Sequence, residues 1–175
     1  MSKKEVIIYG CGMSGLIAAI DLARHGYKVI VHDREKEYGT DPRYNPSAHT
    51  TPVDIARTSE YIGIDISSAF NPLLRCPVYF HDTCIHLPVN SVYSVERGNR
   101  KTSLDTLLLG IAIQEGVEFE FNSELTLEKI QQLPGNSIIA CGLREDAYQL
   151  LDIPYIPCYG WCSIGECGYS DFAWI

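Results

Sequence analysis

No apolar run in this chain approaches the roughly 20 residues that a helix needs to span a bilayer, so a membrane-spanning helix is not expected. Basic charge is scarce as well. Lys and Arg number 14 against 22 Asp and Glu, a net charge of −8 that lacks the clustered cations of a nucleic-acid or anionic-membrane surface. Met1-Ser2-Lys3-Lys4 leads straight into a strand-like segment, without the apolar stretch and cleavage site of a secretory signal. The expected location is therefore the cytoplasm. An even set of cysteines is also missing: there are seven, which suits a reducing compartment where most thiols behave as small hydrophobes. Internal repeats, low-complexity tracts and a Ser/His/Asp arrangement are absent, and Ser14 lacks the surroundings of a nucleophile elbow. What remains is a chain of 175 residues, 46% hydrophobic and 21% charged, which is enough for one globular domain with a real core.

Val6-Ile7-Ile8-Tyr9 is a short apolar run of the kind buried on both faces of a parallel sheet. Gly10-Cys11-Gly12-Met13-Ser14-Gly15 follows it. A helix is then expected to about His25, because Leu16, Ala19, Ile20 and Ala23 recur at i, i+3, i+4 and i+7. Gly26 stops that helix, and Val29-Ile30-Val31 forms a second buried strand ending at Asp33. Such a β-α-β crossover is right-handed and parallel. Residues 34–96 change character. They hold six of the nine prolines and little helical periodicity, and read as an irregular, partly β excursion with a hairpin at 78–86. After Arg97 regular structure resumes. Ser103 caps a helix striped by Leu104, Leu107, Leu108, Ile111 and Ala112 and stopped by Gly116. Val117, Phe119 and Phe121 alternate with glutamates in a half-buried strand. A short helix at 126–133 and a buried strand at 137–140 complete the pattern. The expected fold is α/β, a Rossmann-like parallel sheet flanked by helices, with residues 1–175 forming one domain.

The chemistry rests on G-x-G-x-x-G between a strand and a helix, with an acid 21 residues after Gly12 at the end of the next strand. Gly10 permits the tight turn. A Cβ at Gly12 would collide with a pyrophosphate, and Gly15 lets helix and strand approach. Backbone N–H groups near Met13 and Ser14 meet the phosphates at the positive end of the helix dipole. Asp33 accepts hydrogen bonds from the ribose hydroxyls of an adenosine. It would repel a 2′-phosphate, which disfavours NADP, although Arg34 beside it works the other way. These residues leave FAD and NAD both open.

Residues 6–33 resemble the dinucleotide-binding motif of flavoproteins in the glutathione-reductase-like superfamily. Tyr93-Ser94-Val95-Glu96-Arg97-Gly98, then Ser103-Leu104-Asp105 and Gly116-Val117-Glu118-Phe119, resemble the R-G, S-L-D and G-V segment of geranylgeranyl-reductase-like and aromatic-hydroxylase-like FAD families. Asn136-Ser137-Ile138-Ile139-Ala140-Cys141-Gly142 is similar to the strand and A-T-G signature of the same group, with Cys141 in place of Thr. The resemblance implies FAD rather than NAD. It puts Arg97 near the pyrophosphate and makes Ala140 and Gly142 small because the dinucleotide crowds them. It also implies a flavin-dependent oxidoreductase of reductase or hydroxylase type, acting on a small-molecule substrate that the residues do not specify. The chain departs from that family in lacking the Gly-Asp pair that binds the ribityl chain; Gly165-Glu166 is the nearest imitation. Family members are about twice as long, and Phe172-Ala173-Trp174-Ile175 reads as the start of a strand. The expectation is therefore an N-terminal FAD-binding half whose remainder lies on a missing segment or a second chain, with no catalytic residue in this half. The rival readings are an NAD-binding dehydrogenase domain and a non-catalytic nucleotide-binding module that needs a partner.

Two further clusters offer ligand atoms. His81-Asp82-Thr83-Cys84-Ile85-His86 fits no common zinc spacing and reads as a polar hairpin. Cys158, Cys162 and Cys167 lack an evident fourth ligand and read as buried thiols, so no metal is expected. Cys11, at a helix N-terminus, is expected to have a lowered thiol pKa.

Overall fold

The runs around Val6 and Val29 lie side by side in the computed structural model, which describes residues 4–39 and 47–158. They form β1 (Glu5–Tyr9) and β2 (Lys28–His32), paired in parallel from Glu5 opposite Lys28 to Tyr9 opposite His32. Between them runs α1 (Met13–Arg24), closed by Gly26 at φ +84°, a left-handed conformation that suits a residue without Cβ. Asp33 follows β2 directly.

Later segments return to the same sheet. Ser103 begins α3 (Leu104–Gln114) by accepting the Thr106 N–H at 3.1 Å, and Gly116 ends it at φ +81°. Then come β8 (Glu118–Glu120), α4 (Leu127–Gln131), β9 (Ser137–Ile139) and α5 (Glu145–Leu150). The strand order is β8-β2-β1-β9, all parallel. The chain leaves β1 toward β2 on one side, and β9 closes the other. The C-terminal end of β1 is thus the switch point where open α/β sheets hold ligands.

Val6, Ile8, Val29 and Val31 are buried on one sheet face against Leu16, Ala19 and Ile20 of α1 and Leu108 and Ala112 of α3. A smaller cluster of Leu125, Ile130 and Ala147 packs with Tyr9, Ile139 and Cys141. The expected burial on both faces is complete on the first and partial on the second, where Ile7, Tyr9, Ile30 and His32 are half-buried. The α/β arrangement expected from the sequence is the one that forms.

The excursion is more ordered than its composition suggested. β3 (Ser47–Pro52), β4 (Phe70–Pro72) and β7 (Val92–Arg97) make an antiparallel sheet with β7 in the centre. β5 (Cys76–Phe80) and β6 (Thr83–Leu87) form the expected hairpin. His81 occupies its turn at φ +51° rather than a strand position, and β6 is exposed throughout. The sequence reading missed α2 (Ile55–Ile62). Asp54 caps it by accepting the Arg57 N–H at 3.0 Å, and Gly63 closes it at φ +64°. None of its residues is fully buried; its inner face is half-buried, Ile55 and Ile62 packing on the core with Thr58 and Ser59 between them. Among the described residues no helix is long and apolar enough to cross a membrane.

Candidate functional site

The three motif glycines answer to three different constraints. Gly10 sits at φ +111°, and a Cβ there would lie 2.3 Å from the Ala140 carbonyl oxygen. A Cβ on Gly15 would lie 2.0 Å from the Gly10 oxygen. Both positions exclude a side chain because β1, β9 and α1 meet there. Gly12 is different. Its backbone is extended, at φ −79° and ψ −178°, where any residue is comfortable, and a Cβ would meet no atom within 4 Å. Neither conformation nor packing asks for glycine at 12, and the space it leaves opens into a cavity.

That cavity, of about 430 Å³, lies at the C-terminal ends of β1, β2 and β9. Gly10, Gly12, Met13, Ser14, Asp33, Arg34, Arg97, Ala140 and Gly142, nine of the ten residues singled out from the sequence, border it. Gly15 stands behind the loop. No side chain caps α1, so the first-turn N–H groups, which have no acceptor within the helix, face this space.

Asp33 braces the loop. Its Oδ2 accepts the Cys11 N–H at 2.7 Å and its Oδ1 accepts the Glu35 N–H at 2.9 Å. Each oxygen keeps a further lone pair for a hydroxyl in the cavity. Arg34 pairs with Glu35 at 3.2 Å. Arg97 donates from Nε and Nη2 to Asp105 at 2.6 and 2.8 Å, and Asp105 also accepts the Gly98 N–H at 2.9 Å. Asp105 is only 6% exposed, so this ion pair is a buried bracket between β7 and α3. The Asp105 hydrogen bond holds Arg97 firmly protonated, and the edge of its fork that meets Asp105 is committed.

Sequence reasoning missed Tyr38 and Arg144, which border the same cavity. The Tyr38 hydroxyl is buried close to Asp105, and burial first, then the Asp105 charge, pushes its ionisation up. Arg144 is held by Asp146 and by the Leu125 carbonyl. No local signal marks either residue, since each matters only through what folding brings to it.

Two expectations about thiols are corrected. The Cys11 thiol is raised, not lowered: it is buried, and the Asp33 and Asp105 carboxylates disfavour a thiolate, while α1 begins only at Met13. Cys158 is exposed rather than buried, as is Cys84. Cys162, Cys167 and Gly165-Glu166 lie outside the described residues. Among the described residues no three His, Cys, Asp or Glu side chains converge as a metal site. A second cavity of about 350 Å³ adjoins the first, sharing Met13, Ser14, His49 and Arg97, and is lined mainly by apolar residues such as Ile17, Ile66, Phe70 and Leu108.

Residues 5–44 match the FAD binding domain family. That match takes in β1, the glycine loop, α1, β2 and Asp33. Flavin-containing monooxygenase FMO GS-OX2 of Arabidopsis thaliana is 37% identical over 62 residues, covering 35% of this chain and 14% of that protein. FMO GS-OX4 of the same plant is 32% identical over 79 residues, covering 45% of this chain and 14% of its own length. Among solved structures, the tetrameric form of 2-methyl-3-hydroxypyridine-5-carboxylic acid oxygenase superposes with a TM-score of 0.54 at 21% identity, over 71% of this chain and 33% of that one. CtdE, solved in complex with FAD, gives 0.52 at 23% identity, over 71% of this chain and 31% of that one. At those identities the likeness is one of fold. The chain spans about a third of the solved chains it matches.

Proposed function

We propose that this chain is the FAD-binding portion of a flavin-dependent oxidoreductase of the reductase or hydroxylase type. The carrying observation is Gly12, a glycine that the fold does not need, facing a cavity at the sheet's switch point. In this reading the N–H groups of Met13 and Ser14 take the pyrophosphate, with Gly10 and Gly15 shaping the loop that presents them. Asp33 takes the ribose hydroxyls, with Arg34 at its side. Arg97, Ala140 and Gly142 border the dinucleotide, Arg97 through the part of its guanidinium not turned to Asp105. Bound FAD would supply the redox chemistry, and the protein would supply position and electrostatics. A cavity bordered by charged side chains that continues into an apolar one suits a ligand with a charged middle and an aromatic end.

The substrate and its contacts are assigned to the remainder of the enzyme, on a further segment or a second chain. Free buried thiols at Cys11 and Cys76 fit a reducing compartment, and we assign the protein to the cytoplasm. The test is titration of the purified chain with FAD, followed by gel filtration and mass analysis of released ligand. Retained yellow flavin is the expected result. A colourless chain that binds NAD would favour the dehydrogenase reading, and binding of neither would overturn both.

A further inference from the structure

One wall of the cavity is built from the turns that follow β8 and β9. Cys141, Leu125 and Arg144 border it beside Asp33. Asp33, Arg34 and Arg144 all border the cavity, and the Ser123 N–H donates to the Asp33 carbonyl at 2.8 Å, which brings Leu125, two residues on, to the end of β2. Arg144 is the least ordinary of them. Its Nε donates to Asp146 Oδ1 at 2.9 Å, its Nη2 donates to Asp146 Oδ2, and its Nη1 donates to the Leu125 carbonyl at 3.0 Å. Three of its five N–H groups are thus committed within the guanidinium plane. The side chain is only 16% exposed, yet it borders the cavity.

A guanidinium pinned by three in-plane hydrogen bonds offers a flat face of fixed orientation. Flat faces of this kind stack on aromatic rings, and the immobilised plane loses little entropy in doing so. We infer that Arg144 is the platform on which the purine ring of the dinucleotide stacks, held flat by Asp146 and Leu125. This rests on the FAD reading above. It assigns the base to recognition by its π-face rather than by its hydrogen-bonding edges. Leu125 supplies apolar surface on the same wall.

Competition titrations against bound FAD, with ADP, GDP and inorganic pyrophosphate as probes, test the assignment. For the unaltered chain, ADP and GDP should bind within a few-fold of each other and far tighter than pyrophosphate, because stacking tolerates any purine. Arg144→Lys keeps the charge and loses the plane. It should weaken ADP about tenfold while pyrophosphate affinity stays unchanged. Arg144→His, which restores a flat ring, should recover part of the loss. Unchanged ADP affinity in Arg144→Lys, or an equal loss for pyrophosphate, would overturn the inference. Strong preference for ADP over GDP in the unaltered chain would overturn it too, and needs no variant to fold. If the unaltered chain binds neither FAD nor ADP, the FAD reading itself fails, an outcome distinct from the others.

Discussion

Replacing Gly12 with valine adds an isopropyl group at a place where the chain itself has room. The backbone there is extended and already suits a β-branched residue, and a Cβ meets nothing within 4 Å. Two small effects on stability oppose each other. Glycine is a better helix N-cap than valine by up to about 1 kcal/mol. Removing a glycine at a permitted conformation restrains the unfolded chain by roughly 0.4–1 kcal/mol. The net change should fall within about 1 kcal/mol, a Tm shift of no more than about 4 °C at this chain length. Binding should respond quite differently. The isopropyl group fills the approach to the Met13 and Ser14 N–H groups, each worth about 1.5–3 kcal/mol when bonded to a charged oxygen. Losing both costs about 3–6 kcal/mol, so FAD affinity should fall by more than a hundredfold.

The neighbouring glycines sharpen the contrast. Gly10→Ala and Gly15→Ala each drive a methyl group into backbone, at 2.3 and 2.0 Å, and should lower the melting temperature sharply whether or not ligand is present. Thermal melting and FAD titration on the three variants separate the roles. Near-normal FAD affinity in Gly12→Val would refute the reasoning, and so would a melt as damaged as that of Gly10→Ala.

Asp33→Ala should weaken FAD by about 1–3 kcal/mol through the lost ribose contact. It should also lower the melting point, because the Cys11 and Glu35 N–H groups lose their acceptor; Asp33→Asn should recover part of both in the same assays. Ser103→Ala removes the cap of α3 together with the bond to the Gly98 carbonyl, and chemical denaturation should register a loss of about 1–2 kcal/mol. The buried Cys11 thiol should resist alkylation at pH 8 while exposed Cys84 and Cys158 react, as read by mass spectrometry of the labelled peptides. Its raised pKa favours the folded state in full below the ordinary thiol value of 9.0 and progressively less above it, because only the unfolded chain then ionises. Alkaline melts should therefore fall more steeply than those of Cys11→Ser.

The parts of this fold legible in the sequence are those whose causes are local. Residues 5–33 announce themselves because strand, glycine turn, helix and acid follow one another within one crossover, and each leaves a pattern along the chain. The same holds for α3, whose cap, stripe and stop are all its own residues. By contrast β3 reads Ser-Ala-His-Thr-Thr-Pro and has no apolar alternation to betray it. It is a strand because β7, more than forty residues later, supplies its partner. Helix α2 has a cap, a glycine stop and a half-buried face, but that face mixes Ile55 and Ile62 with Thr58 and Ser59, so only two apolar residues mark its period.

The site divides along the same line. Glycine spacing identifies the loop, yet only the fold shows that position 12, unlike 10 and 15, has room for a side chain. Arg97, Gly98, Ser103 and Asp105 are recognisable as a motif, and the fold turns much of that motif inward. Arg97 grips Asp105, Gly98 donates to the same carboxylate, and Ser103 closes the helix onto the Gly98 carbonyl. A motif of this sort can recur because it fixes β7 against α3 beside the cavity, whatever its arginine contributes to the ligand. Arg144 is the opposite case, carrying no motif at all. Its plane is set by Asp146, two residues on, and by a carbonyl nineteen residues back, so its orientation exists only once α4 and α5 have packed.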